Sequence, residues 1–279
     1  MAKRDPYKVP DDKAEFCRTL GFEPTAYQNK LLEDKNQFIA ARWSRQSGKS
    51  HIVAALLLWL CLRFPEFNIL VVAPSLRQSK IIIRKITNFL RHLPRELAPK
   101  PLKTKIEFYN GSRIQAFPNN PDTIRGEPGV GLVLVDELNY VRDDSDLYDA
   151  VIFTLATTNG QFLATSTPGS RDNIFYHMCT DDDAFGNVSR HHITYREALE
   201  PNGPLKRNIL EQIRKQYQAS DPWRWTREME AEFAEDEDAW LSMSLIKGRI
   251  DQNIDGHLIP EEFILTGSVL QRNGPRPET

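Results

Sequence analysis

The sequence predicts an α/β fold, a mainly parallel central sheet flanked by helices, followed by a small C-terminal helical linker subdomain. Two observations carry this. Short runs of apolar residues at 37–41, 69–73, 132–135 and 162–165 suit strands buried on both faces, and a fifth strand is read at 190–194. Between them lie segments with apolar residues at helical spacing, the alternation that places a parallel sheet between helix layers.

Residues 1–25 form a polar lead-in with a weak helical pattern at 14–20. After the first strand, Ile52, Ala55, Leu56, Trp59 and Leu60 recur at helical spacing until Pro65 stops the helix. Pro74 closes the second strand. Residues 76–93 read as a basic amphipathic helix with Ile82, Ile86, Phe89 and Leu93 on its apolar side. Residues 106–108 and 113–117 read as a hairpin around the Asn110-Gly111 turn. From 204 to 240 the chain is helical and charged. These divisions predict a core with its lead-in at 1–203, a helical linker at 204–245 and a tail at 246–279.

At 279 residues, 40% hydrophobic and 27% charged, the composition is that of a globular protein. Three widely spaced cysteines (Cys17, Cys61 and Cys179) offer neither a disulfide framework nor a zinc spacing and suit a reducing cytosol. The longest apolar run, Ile52 to Leu62, is too short to span a bilayer, so no membrane is expected. With 36 basic and 38 acidic residues, overall charge gives no support for nucleic-acid binding. Local charge is uneven: Lys and Arg crowd the stretch from Arg77 to Arg113, and acids crowd the stretch from Glu228 to Asp238. One basic face and a set of solvated helix faces explain this equally well.

The chemistry lies in two motifs. Ser44-Arg45-Gln46-Ser47-Gly48-Lys49-Ser50 stands between a strand and a helix, the setting in which backbone N–H groups and a helix N-terminus cradle phosphates. Lys49 then reaches the β- and γ-phosphates of ATP, and the Ser50 hydroxyl ligates Mg²⁺. The glycine usual five residues before Gly48 is replaced by Trp43, so the loop must turn without it. About 85 residues downstream, Asp136-Glu137 closes an apolar strand: an acid there holds Mg²⁺ through its water shell, and the adjacent Glu polarises the attacking water. Together they predict a RecA/ASCE-type P-loop ATPase. Upstream, the Gln28 amide of Pro24-Thr25-Ala26-Tyr27-Gln28 is suited to read an adenine edge, donating and accepting at once.

Taken in order, Tyr27-Gln28, Arg45 to Ser50, Ala73-Pro74-Ser75, Asn110-Gly111-Ser112, Ile124-Arg125-Gly126, Val135-Asp136-Glu137 and Ser166-Thr167-Pro168 resemble the ATPase domain of viral large terminase subunits, the DNA-packaging motors of tailed phages. The resemblance covers roughly residues 20–240. It implies that Lys49 and Ser50 bind phosphate and Mg²⁺, that Asp136 supports the metal and that Glu137 is the catalytic carboxylate. Arg45 would face the γ-phosphate or sense its loss. Ser166 and Thr167 match the segment that couples nucleotide state to DNA movement. Arg125 matches an arginine finger acting in trans, with a structural salt bridge to a loop carboxylate as its alternative. The implied partners are double-stranded DNA, further copies forming a ring on a portal, and a small terminase subunit, in the host cell cytoplasm. Candidate DNA-binding cations are Arg77, Lys80, Arg84, Lys85, Lys103 and Lys105. The family's C-terminal nuclease has no room in the 40 or so residues after Trp240. Trp223, Trp225 and Phe233 are expected to anchor the linker by packing. A superfamily-2 helicase fragment and a nucleotide-gated DNA-binding adaptor are the competing readings.

Overall fold

Runs that are apolar at every position need cover on both sides, and the computed structural model, which describes residues 8–98 and 100–233, provides it. The strands are β1 (Phe38–Trp43), β2 (Asn68–Ala73), β3 (Lys105–Glu107), β4 (Arg113–Pro118), β5 (Val130–Asp136), β6 (Gln161–Ser166) and β7 (Ser189–Ile193). They form one sheet in the order β3-β4-β2-β5-β6-β1-β7. Every pairing is parallel except the antiparallel β3–β4 hairpin at one edge.

Alternate strand residues face opposite layers. Ile39, Ala41, Ile69, Val71, Leu132, Leu134 and Leu163 pack under α1 (Lys13–Thr19), α2 (Ala26–Glu33), α3 (Lys49–Arg63) and α4 (Leu76–Phe89). Ala40, Leu70, Val72, Val133, Val135, Phe162 and Ala164 pack on the other side, with α5 (Pro121–Arg125), α6 (Asp144–Ala156) and α7 (Ile174–Thr180). The two-residue period of a strand thus serves two cores at once. Helix α3, ten of whose fifteen residues are buried, is the apolar run at 52–62, and no helix among the described residues is long and apolar enough to cross a membrane.

The Asn110-Gly111 hairpin is fastened to the far end of α3. Gly111 supplies the left-handed turn residue (φ +87°). The Asn110 amide donates to the Cys61 carbonyl at 2.7 Å, and the Ser112 hydroxyl to the Phe64 carbonyl at 2.7 Å. The hairpin's second strand, β4, then continues the sheet in parallel with β2, extending it beyond the strands that apolar runs disclose.

The four-residue helix α8 (Asp182–Phe185) leads into β7, and after β7 come α9 (Arg207–Ser220) and α10 (Pro222–Glu228). Leu210, Trp225 and Met229 enclose Tyr195, whose ring meets that of Trp225 at 5.1 Å, and the Tyr195 N–H donates to the Met229 carbonyl at 2.7 Å. Phe233 lies under the Arg42 guanidinium at 5.2 Å. Trp225 and Phe233 are therefore anchors, whereas Trp223 is half exposed and anchors nothing in the core. The described residues as far as 233 fall in one compact unit. The remainder of the linker, 234–245, and the tail, 246–279, lie outside the described residues.

Edge strand β7 is tied to the end of α2 by Asp34, which accepts from His191 Nε2 at 2.7 Å and from the Asn36 N–H at 2.9 Å. Burial raises the Asp34 carboxyl, but hydrogen bonds from Ser189, His191 and Asn36 outweigh it and leave the pKa at about 2. A depressed folded value contributes stability above the unfolded pKa, and that stability is lost as pH falls through the folded one. Asp34→Ala should therefore cost about 2 kcal/mol at pH 7. In urea titrations at stepped pH, the gap from wild type should close between about pH 4 and pH 2.

Candidate nucleotide-binding site

Three parallel strands deliver their C-terminal ends to one cleft of about 540 Å³, a size suited to a small-molecule ligand. β6 lies between β1 and β5, so the residues after β1 and those ending β5 face each other across Thr165 and Ser166. Thr165 stands in register with Ala41 on one side and Asp136 on the other.

The loop after β1 is held at its backbone N–H and carbonyl groups by β7, α2 and its own Ser47. The Ser44 N–H donates to the Ile193 carbonyl at 2.7 Å, the Ser47 hydroxyl to the Ser44 carbonyl at 2.7 Å, and the Tyr27 hydroxyl to the Ser47 carbonyl at 2.7 Å. Left-handed residues at Gln46 (φ +60°) and Gly48 (φ +87°) make the turn, so the missing glycine at 43 is not needed. Trp43 instead finishes β1, fully buried, with Tyr27 edge-on at 5.1 Å. Glycine suits 48 because its backbone is left-handed there, and a Cβ would also have to displace the Gln28 amide, 2.6 Å away. α3 begins at Lys49, and the unpaired N–H groups of its first turn and their dipole suit an anion.

At the end of β5, Asp136 is buried and accepts from the Thr165 hydroxyl at 2.6 Å. Burial pushes its carboxyl above the ordinary value, against the pull of Lys49. Glu137, itself left-handed (φ +57°), turns out of the strand to meet Lys49 Nζ at 3.3 Å, the Ser166 hydroxyl at 3.3 Å and the Thr167 N–H at 3.4 Å. Lys49 is buried and its ammonium pairs with Glu137. The cleft thus holds a cation on a helix N-terminus, a buried carboxyl group and a second carboxylate paired with that cation. Such a set is suited to a phosphate-bearing ligand.

Residues 42–247 match the family described as terminase large subunit, T4likevirus-type, N-terminal. The chain belongs to this terminase family. Its fold is similar to that of the Thermus phage P74-26 large terminase ATPase domain, with 18% identity and a TM-score of 0.61 over 82% of this chain and 100% of that one. The large terminase of a thermophilic bacteriophage matches 77% of this chain (14% identity, TM-score 0.63) and that of bacteriophage HK97 matches 82% (14%, 0.59). The chain spans 54% and 51% of the length of those two proteins. Structures of the thermophilic-phage terminase include complexes with ADP and with ATP-γ-S.

In this terminase chain, the cleft gathers Ser44, Arg45, Gln46, Gly48, Lys49, Ser50, Asp136, Glu137 and Thr167. Ser47 and Ser166 are buried just behind it. Three expected residues stand elsewhere or otherwise. Gln28 does not line the cleft: its amide oxygen accepts from the Thr25 N–H at 2.9 Å, completing a capping box on α2, and its amide nitrogen backs Gly48. The capping position, three residues after Thr25, decides its orientation. Arg45 reaches out of the loop to α10, where its N–H donates to the Glu228 carbonyl at 2.8 Å and its guanidinium pairs with the Glu228 carboxylate at 3.4 Å. Arg125 ends α5, exposed and paired with Asp122 at 3.1 Å, outside its own cleft.

Of the six candidate DNA-binding cations, Lys85 lines the nucleotide cleft and Lys105 pairs with Glu107 at 2.6 Å. Arg77, Lys80 and Arg84 share one stripe of α4, and Lys103 is exposed beyond it. The sequence reading misses Thr165, Tyr140, Gln78 and Glu228. Thr165 follows from the register of β6, and Tyr140, whose hydroxyl lies 3.3 Å from Thr167 Oγ1, from no local signal.

With Gln28 placed as a cap, Gln28→Ala should lower stability by about 1 kcal/mol and leave the relative affinities for adenine and guanine nucleotides unchanged. Parallel thermal unfolding and fluorescent-nucleotide titrations check this; lost adenine preference at unaltered stability would restore the base-reading role.

Proposed function

We propose that this chain binds Mg-ATP in the cleft and hydrolyses it to drive double-stranded viral DNA into a procapsid. The reading rests on the Lys49–Glu137 pair, which joins the phosphate loop to the end of β5 at the cleft floor. A γ-phosphate at Lys49 takes over the ammonium, and Glu137, still oriented by Ser166 and Thr167, is left to accept a proton from water. The Ser50 hydroxyl and the Asp136 carboxylate are the oxygens suited to Mg²⁺, directly or through water. Such an ion takes its remaining ligands from substrate phosphates and water. When bound, the ion neutralises charge developing on those phosphates. Thr165 keeps Asp136 aimed by its hydrogen bond. Arg45 can trade Glu228 for the γ-phosphate, which would report nucleotide state to α10, and the Ser166-Thr167 segment would report it through Glu137.

Glu137→Ala should lower turnover by about 10²- to 10⁴-fold while ATP binding changes only a few-fold. Lys49→Ala should weaken both. Steady-state hydrolysis beside equilibrium binding separates the two effects, and normal turnover by Glu137→Ala would remove the catalytic assignment.

The motor reading further assigns Arg125 to a neighbouring chain's cleft, in a ring that assembles on the portal with a small terminase subunit in the host cell cytoplasm. Its exposure, and its distance from its own site, support that direction. Hydrolysis per chain should then rise with protein concentration, and Arg125→Ala should remove the rise, an effect of about 10³-fold at saturation. Mixing Arg125→Ala with Glu137→Ala chains should restore activity where an intact Arg125 meets an intact Glu137. A verified mixed assembly with no recovery would leave Arg125 as the partner of Asp122 alone. DNA binding should be independent of sequence and weaken steeply with salt.

A further inference from the structure

The two layers of the sheet present opposite charge. On α4, Arg77, Lys80, Ile81 and Arg84 lie along one solvent-facing stripe, and the helix contains no acid. On α6, Asp146, Asp149 and Phe153 are all exposed, and the helix contains no Lys or Arg. Both stripes repeat at i, i+3 or i+4, and i+7, so each is about 10 Å long. None of Arg77, Lys80, Arg84, Asp146 and Asp149 has an ion-pair partner among the described residues. Each stripe also exposes an apolar side chain, Phe153 (76%) on the acidic one and Ile81 (37%) on the basic one. α4 and α6 pack on opposite faces of the sheet, so the stripes of a single chain cannot meet.

We infer that the acidic stripe of α6 is a docking surface for the basic stripe of α4 on a second copy of this chain. Asp146 and Asp149 meet Arg77, Lys80 and Arg84, and Phe153 packs against Ile81. The contact joins two different patches, so it is head-to-tail and can repeat from copy to copy. DNA would neutralise the basic stripe and leave the acidic one without a partner, whereas a second copy satisfies both. Gln78 and Ile81 of α4 line the nucleotide cleft, so an α6 seated there stands beside the neighbour's nucleotide. α5 comes with it, because Thr154 of α6 donates to the Ile124 carbonyl at 3.5 Å. Charge and exposure define this surface whatever Arg125 does in trans.

The test uses two double variants of the full chain, Asp146→Lys with Asp149→Lys, and Arg77→Glu with Arg84→Glu. Sedimentation velocity at low ionic strength should show each variant self-associating at least about tenfold more weakly than wild type. An equimolar mixture should recover wild-type association to within about threefold, since every contact then joins a reversed stripe to its match or two native stripes. Phe153→Ala, which removes no charge, should weaken association and keep its salt dependence. Wild-type association by either double variant, a mixture that stays monomeric, or a wild-type chain monomeric up to high micromolar concentration would each overturn the proposal. So would an Arg77→Glu, Arg84→Glu chain that loses DNA binding yet associates normally. Hydrolysis is not read here, so an Arg125→Ala chain that associates normally but shows no rate defect would count only against the finger.

Discussion

Lys49 and Asp136 sit almost without water at the floor of the cleft, and two buried ionisable groups cost several kcal/mol each unless their surroundings answer them. Much of the architecture supplies that answer. Placing β6 between β1 and β5 sets Thr165 where its hydroxyl can donate to Asp136. Turning Glu137 into a left-handed conformation brings its carboxylate back to the ammonium of Lys49. A helix N-terminus would penalise that ammonium if Glu137 were absent. The arrangement is a charge cluster in its own right, and under the proposed function an incoming polyphosphate and metal would satisfy the same two groups.

The parallel core was legible because strands buried on both faces are apolar along most of their length, so the short runs at 69–73 and 132–135 stand out. The phosphate loop and Asp136-Glu137 were legible for a different reason: each is local, and its spacing is imposed by chemistry on a few consecutive residues. What stayed hidden depends on register or on contacts between distant segments. Nothing near Gln28 says whether its amide turns toward a ligand or back to Thr25; only the helix start decides it. Nothing near Arg45 discloses Glu228, which follows it by more than 180 residues. Trp223, Trp225 and Phe233 look alike as aromatics in a charged segment, yet only the latter two find a pocket.

The uneven charge of the sequence acquires a meaning once the layers are known. Net charge near zero conceals two helices of opposite sign on opposite faces. Lys85, next to this stripe in sequence, belongs instead to the cleft, where it lies close enough to His51 to lower its imidazole pKa, an effect second to that of burial. Consecutive residues, Arg84 and Lys85, thus divide between the outward stripe and the cleft, which is why composition alone could not separate them.

The fastening of α3 at its far end bears on mechanics. The helix is fifteen residues long, about 22 Å, and carries Lys49 at one end. At the other, Asn110 and Ser112 of the hairpin hold its last carbonyls. Burial along most of its length and the pin at its tail leave the helix little freedom to shift. The position of Lys49 is thereby set in part from the β3–β4 edge, the far side of the sheet from the cleft.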